Sequence, residues 1–380
     1  MSRPEYNKKT IRQHFSSYYL KRLRPQLPEL TKSSDGLSAL ADMINNGGHK
    51  SVLVVCSLDL LMTGCTDSFF SGLDRLGIDH VVYDDFCGDP TTENVRDAAA
   101  LLSDAECSCI AAIGGSSIIN CARAVSLTAE ENSGHFRAPA QKFPVYAVPS
   151  GCAAAYAAVP YVILIDRKKR RISPLISDKL APAEMIYDRS FAMREDDCTA
   201  ALLTDCMEYY LCSLSPDHPE ERKLVLGSCM SILGSGTDSA DMFSVSYRAG
   251  LGLMRSLPGN ISTIAYSLSA VCDIPRSAAI SRLAAETLEK YLYVPAACNA
   301  MAVMAVKCGL SDGKSGRTAA AQRLTEAVRA LCSGSDDAYD ISESDIRAAA
   351  DSAYGLASAS CSPFRPTRTE IADIITSAIR

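Results

Sequence analysis

Three sets of residues in this sequence have types and spacings that bear on chemistry. The first is a turn of small residues, Gly114-Gly115-Ser116-Ser117, which follows the apolar run Cys109 to Ile113 and precedes a helical pattern. Between strand and helix, such a turn brings backbone N–H groups close to a phosphate at the helix N-terminus. Two glycines would serve any tight strand-to-helix turn equally well. The second set is Asp205, Cys206, Glu208 and Cys212, with Cys272 farther along. Asp205, Glu208 and Cys212 share a helix face, so a carboxylate–thiolate metal site is one reading. No metal-type spacing supports it, which favours a surface carboxylate and core thiols. The third set is the histidines, at 14, 49, 80, 135 and 218, and sixteen scattered cysteines with no C-x-x-C pair. No imidazole can come from the chain after residue 218, and no zinc ribbon or dithiol redox motif is signalled. The thiols lie mostly in apolar stretches and read as unpaired core residues in a reducing compartment.

The elements that must carry these groups divide the chain in two. Ser51 to Cys56, His80 to Tyr83, Cys109 to Ile113, Val145 to Val148 and Val159 to Ile165 read as strands. Helical patterns lie between them, from about Asp59 to Leu76 and from Pro90-Thr91-Thr92-Glu93 to about Leu102. This alternation predicts a parallel sheet with helices on both faces. After about Asp197 the apolar period becomes 3.6. Helices are expected over Thr199–Leu214, Pro219–Leu233, Ala240–Leu257, Ser277–Tyr291, Arg317–Leu331, Glu343–Ala357 and Thr367–Ile379, the last with a capping box from Thr367 and Glu370. The segment Ser333 to Asp340 reads as a polar loop. The expected division is a basic arm and lead-in over 1–48, an α/β dinucleotide-binding-like domain over 49–190 and an all-helical domain over 191–380.

With 380 residues, 47% hydrophobic and 22% charged, the chain can bury a substantial core. Its net charge of −6 gives no bulk attraction to nucleic acid or anionic membrane, and no apolar run spans a bilayer. Between Tyr6 and Pro28 the basic residues Lys8, Lys9, Arg12, Lys21, Arg22 and Arg24 occur with no acidic one. A solvated arm on a cytoplasmic protein is preferred to an organelle presequence, and no apolar stretch of the secretory kind follows the charges.

From about Ser51 onward the sequence resembles the iron-dependent (metal-type, group III) alcohol dehydrogenases. Asp89-Pro90-Thr91 resembles their N-P-T turn, and Ile113-Gly114-Gly115-Ser116-Ser117-Ile118-Ile119-Asn120 their G-G-G-S-x-x-D loop. Val148-Pro149-Ser150-Gly151 resembles the start of P-T-T-x-G-T-G-S-E, and Thr199-Ala200-Ala201 through Asp205 resembles T-A-A-x-G-x-D. Tyr266 through Arg276, with Leu268 and Pro275 in place, occupies the H-x-L-G…P-H stretch. Ser344-Asp345-Ile346 through Ser362-Pro363 and Thr369-Glu370-Ile371 parallel the closing helices. The resemblance implies a Rossmann-like α/β domain with a parallel sheet followed by an all-α domain, the dehydroquinate synthase-like architecture.

It also implies where the chemistry would sit, and there the sequence departs from the family. One Asp and three His hold Fe²⁺ or Zn²⁺ in the family. The Asp falls on Asp205, and the histidines fall on Tyr209, Ser262 and Arg276. A further catalytic histidine falls on Tyr266. A dication needs three or four strong donors, so Fe and Zn are expected to be absent, and Arg276 is expected to replace the metal as a fixed charge paired with Asp205. For NAD or NADP, the resemblance points to Gly114, Gly115, Ser116, Ser117, Asn120 and Ser150. Ser116 replaces a glycine, Asn120 replaces an Asp, and Ser57 stands where an adenine-side Asp often lies. Gly151 through Ala157 lacks the family's hydroxyl donors, and Tyr156 adds bulk.

Three functional expectations follow. The first is a non-catalytic scaffold or regulatory partner, either a homo-oligomer (dimer) or paired with an active paralogue. The second is a metal-independent NAD(P)-dependent oxidoreductase of a small alcohol or aldehyde, with Tyr266, Tyr209 or Arg276 stabilising charge on the substrate oxygen. The third is a protein binding an anionic small molecule between the domains through Arg255 or Arg276.

Overall fold

The computed structural model describes residues 28–33, 36–85, 88–128, 143–188, 196–212, 218–234, 242–332, 339–357 and 362–379. The basic arm up to residue 27 and most of the polar loop after Ser333 lie outside the described residues.

The first half is a six-stranded parallel sheet. Its strands are β1 (Glu29–Ser33), β2 (Ser51–Val55), β3 (Asp79–Tyr83), β4 (Cys109–Gly114), β5 (Val145–Pro149) and β8 (Glu184–Asp188), in the order β1-β8-β5-β4-β2-β3. Leu53, Val55, Ile110, Ala112, Val145 and Ala147 face one core. Val52, Val54, Cys109, Ala111, Ile113, Tyr146 and Val148 face the other. Burial on both faces explains why these strands are continuous apolar runs. The helices are α1 (Gly36–Asn46), α2 (Leu58–Met62), α3 (Asp67–Leu76), α4 (Thr92–Asp104), α5 (Ser116–Thr128) and α6 (Ala153–Ala158). Thr91 and Asn94 form a reciprocal capping box that starts α4.

Two sequence expectations need correction here. The single helix expected from Asp59 to Leu76 is two helices, broken where Gly64 takes φ +71°. The run Val159 to Ile165 does not join the parallel sheet. As β6 (Tyr161–Asp166) it pairs antiparallel with β7 (Arg171–Ile176) in a separate two-stranded sheet. Strands β1, β7 and β8 were not anticipated. The hairpin forms a wall shared by both halves: Val162, Leu164 and Leu175 pack with the sheet core, while Tyr161, Ile163, Ile165 and Ile172 pack with the helices.

The second half is helical: α7 (Asp196–Leu211), α8 (Pro219–Leu233), α9 (Met242–Leu253), α10 (Asn260–Cys272), α11 (Arg276–Leu292), α12 (Pro295–Lys307), α13 (Arg317–Cys332), α14 (Glu343–Ala357) and α15 (Arg368–Ile379). The capping box of α15 forms as expected: Glu370 N donates to Thr367 Oγ1 at 3.2 Å, and Thr367 N donates to Glu370 Oε2 at 2.8 Å. Helices α10 and α12 escaped the periodicity because α10 is buried on nearly every side and α12 is apolar on its exposed face as well. A helix apolar all round shows no stripe. No helix among the described residues is long and apolar enough to cross a membrane.

Candidate functional site

The Gly114 turn lies at the C-terminal ends of β4 and β5, where open parallel sheets bind ligands. Gly114 has φ +136°, a conformation that L side chains rarely adopt. Its carbonyl accepts from Ser150 N at 2.9 Å, which fixes Ser150 beside the turn. Gly115 O accepts from Ile119 N, so Gly115 caps α5, and the half-buried Ser116 and Ser117 form its first turn. A Cβ at Gly115 would meet only Ser150 Oγ, at 3.9 Å, so the approach to this helix end is open. Five of the six expected cofactor residues therefore converge. The sixth, Asn120, points inward, and its Oδ1 accepts from Arg123 Nη1 at 2.8 Å.

Arg123 was not anticipated, although a lone cation within the apolar stretch Ile118 to Leu127 was a legible signal. It is completely buried. Its guanidinium donates to Leu180 O at 3.0 Å, to Tyr161 O at 3.4 Å and to the carbonyls of Tyr156 and Val159. It thereby closes the C-terminal end of α6 and the start of the hairpin. Among the described residues no carboxylate pairs with it, and burial pushes its pKa down to about 9.

Helix α6 is buried throughout, against α9. Gly250 permits the approach, since a Cβ there would come within 2.7 Å of Ala155 O. Ser246 Oγ accepts from Ala155 N at 2.9 Å and donates to Cys152 O at 2.7 Å. This packing sets Tyr156 against α7, where its hydroxyl donates to Asp205 Oδ2 at 3.1 Å. Asp205 Oδ1 accepts from Ser262 Oγ at 2.6 Å. Both carboxylate oxygens are thus engaged by hydroxyls of the chain itself. Burial raises the Asp205 pKa, against the Ser262 bond, the Arg276 charge and the Tyr156 bond.

The expected Asp205–Arg276 ion pair is not what forms. Arg276 Nε pairs with Asp89 Oδ1 at 3.3 Å, both side chains being about nine-tenths buried. Asp89 also accepts from the Ser269 side chain. Arg276 acts on Asp205 only through its charge. The reason is reach: the turn before α4 delivers Asp89 to the N-terminus of α11, while Ser262 and Tyr156 already occupy Asp205. The guanidinium lies 4.8 Å from the ring centroid of Tyr266 and 5.3 Å from that of Tyr156. Burial opposes its charge, but Tyr266, Tyr156, Asp89 and Asp205 outweigh this, and its pKa is raised well above the ordinary value. Arg276 Nη1 is buried with no acceptor among the described residues. Tyr209 is buried one turn beyond Asp205. Arg255 lies apart, bonded to Glu221 at 3.0 Å.

These positions do not fit a divalent metal. They offer one engaged carboxylate, a serine, a tyrosine and a guanidinium, and like charge repels a dication from Arg276. Among the described residues, no group of three or more His, Cys, Asp or Glu side chains is arranged to hold a metal ion. The carboxylate–thiolate reading of Asp205, Glu208 and Cys212 also fails. Glu208 instead accepts from Asn260 N at 2.9 Å, Ile261 N at 3.0 Å, Ser362 Oγ at 3.2 Å and Tyr291 OH. A neutral residue should therefore serve at position 205. Asp205→Asn is expected to lose less than about 1 kcal/mol of stability at pH 8, because the amide can keep both hydroxyl contacts without a buried charge. A urea titration showing a loss of several kcal/mol would mean that the negative charge itself is required.

The molecule is thus a parallel α/β sheet with its glycine turn at the strand ends, packed through the β6–β7 hairpin against a helical half. The sequence profile described as "Iron-containing alcohol dehydrogenase" matches residues 29–189, and that described as "Fe-containing alcohol dehydrogenase family, C-terminal" matches residues 219–379. The chain belongs to the iron-containing alcohol dehydrogenase family. It is 22% identical over 306 residues to alcohol dehydrogenase 4 of Saccharomyces cerevisiae (strain YJM789), covering 75% of this chain and 80% of the yeast protein. Its fold is similar to that of an archaeal halo-thermophilic Red Sea brine pool alcohol dehydrogenase, with TM-score 0.81, 16% identity and coverage of 93% and 98% of the two chains. It is also similar to that of a 1,3-propanediol oxidoreductase, with TM-score 0.78, 19% identity and the same coverage.

Proposed function

We propose that this family member no longer carries out metal-dependent oxidoreduction of alcohols and aldehydes. It acts instead as a non-catalytic scaffold or regulatory partner, as a homodimer or paired with an active paralogue in a reducing cytoplasm. The observation that carries this reading is the engagement of Asp205 by Ser262 and Tyr156, beside the Arg276 cation. Fold alone does not carry an activity when the groups that perform it have been replaced.

Elemental analysis of the purified protein, with NAD⁺ and NADP⁺ titrated against thermal stability, tests the proposal. The expected result is less than one-tenth of a metal equivalent and no stabilisation by either nucleotide. Saturating ligand at a hundred times Kd would contribute about 2.7 kcal/mol. Near-stoichiometric iron or zinc, lost in Asp205→Asn, would overturn the reading.

One observation favours a metal-independent oxidoreductase as a second reading. Arg276 Nη1, near the Tyr266 ring, is a buried donor with no acceptor among the described residues, and a substrate carbonyl oxygen would supply one. Nucleotide-dependent turnover of small aldehydes, abolished by Tyr266→Phe, would establish it. An anionic ligand is disfavoured, because Asp89 and Asp205 already place negative charge around Arg276.

A further inference from the structure

Helix α1 ends in Asn45-Asn46-Gly47-Gly48-His49, and Asn46–Gly47 is the one Asn-Gly pair in the chain. The ending is a Schellman turn. Gly48 takes φ +77°, its N–H donates to Asn45 O at 2.9 Å, and His49 N–H donates to Ile44 O at 3.2 Å. The second bond folds His49 back over the helix end. A Cβ built on Gly47 would lie 3.0 Å from His49 Nε2 and 2.6 Å from Tyr146 OH, so the imidazole stands against the Gly47 backbone.

The orientation of that imidazole is set from its other side. Ser108 Oγ donates to Ser51 O at 3.3 Å, which leaves a lone pair to accept from His49 Nδ1 at 2.9 Å. Tyr146 meets the ring edge-on, with centroids 5.9 Å apart. Nδ1 therefore carries the proton, and Nε2, facing Gly47, is the basic nitrogen. Burial lowers the His49 pKa, which favours the neutral ring. Asn46 and Gly47 are both exposed, and Gly47 has no side chain to hinder attack by its own nitrogen.

We infer that Asn46 is a self-modification site, converted to aspartate and isoaspartate by attack of Gly47 N with His49 Nε2 as base. Gly47 N bonds to Asn46 Cγ while His49 takes the amide proton. The Cγ–Nδ2 bond breaks and ammonia leaves with that proton, giving a succinimide. Solvent water then opens the ring at either carbonyl. In the folded helix Gly47 N–H donates to Met43 O at 2.9 Å, so the reaction awaits fraying of the last turn and is slow. The product carboxylate meets the negative end of α1 and, one turn earlier, Asp42, both unfavourable. The isoaspartate form also lengthens the backbone inside the Schellman turn. The site lies at the opposite end of the strands from the Gly114 turn and is independent of the scaffold reading.

Peptide mass mapping of the full chain, held at 37 °C and pH 7.5 for a month, tests the inference. The expected result is progressive exchange of amide for carboxyl at Asn46, at least about fivefold slower in His49→Gln. Free imidazole should restore part of the rate to His49→Ala and leave wild type nearly unchanged. Loss of helix stability cannot mimic this result, since a looser α1 would fray more and react faster. An unmodified Asn46 after a month, or equal rates in wild type and His49→Gln, would overturn the proposal.

Discussion

Arg123→Ala is expected to destabilise the protein by about 5 kcal/mol, enough to leave much of the chain unfolded at 37 °C. The guanidinium bonds the carbonyls of Leu180, Tyr161, Tyr156 and Val159 and the side chain of Asn120, all from a fully buried position. Each acceptor stranded without water costs about 1–3 kcal/mol, and truncation leaves a cavity as well. Two companion variants separate these causes. Arg123→Met fills most of the space and supplies no donor, so it should lose nearly as much. Arg123→Lys supplies a cation with fewer donors and should lose less. Urea midpoints for the three variants would decide the matter, and a methionine variant as stable as wild type would mean that the carbonyls are satisfied in another way.

Glu208 should make stability depend on pH in an unusual direction. It is buried and ties α7 to the first N–H groups of α10, to Tyr291 on α11 and to Ser362 near the C-terminus. Burial pushes its pKa up from 4.5 to about 7, against the bonds from Tyr291, Ile261 and Asn260 and with the added charge of Asp205. The folded state therefore holds a proton that the unfolded chain has released between pH 4.5 and 7. Stability is fully present below about pH 4.5 and declines as pH rises through about 7, by about 3 kcal/mol for a shift of this size. Asp89 and Asp205, also raised by burial, act in the same direction. Glu208→Gln should flatten this slope and be at least as stable as wild type at pH 8. Glu208→Ala should lose about 3 kcal/mol or more at every pH, because it strands two backbone donors and two hydroxyls. Unfolding free energies measured across pH 4.5–8 provide the check. A wild-type profile that rises with pH would show that the carboxylate is held mainly by its donors, not penalised by burial.

The same residues show why the sequence was informative in some places and silent in others. The turn at Gly114 was legible because backbone conformation is a local property, and two glycines between strand and helix announce it. The capping box at Thr367 and the helix start near Thr91 were legible for the same reason, whereas the reciprocal bonding of Thr91 with Asn94 was not read from the sequence. Asp205 was found through its motif, but its partners were not. Ser262 is 57 residues away and Tyr156 is 49 residues away, and no local pattern encodes such meetings. The expected partner, Arg276, was correctly placed near Asp205 and wrongly paired, because Asp89 had been read only as part of a turn. Glu208 was weighed as a metal ligand, and its actual partners come from three separate segments.

The sequence by itself determined the alternation of β2 to β5 with their helices, most of the later helices, the family, and that no histidine follows His218. These follow from residue type, period and local backbone preference, all written along one dimension. Only the tertiary structure decided which side chains engage Asp205, which carboxylate takes the guanidinium, and that a buried arginine closes α6. Those outcomes depend on which side chains from distant segments reach one another first within a packed interior, where each polar group must find a partner or bear the full cost of its burial.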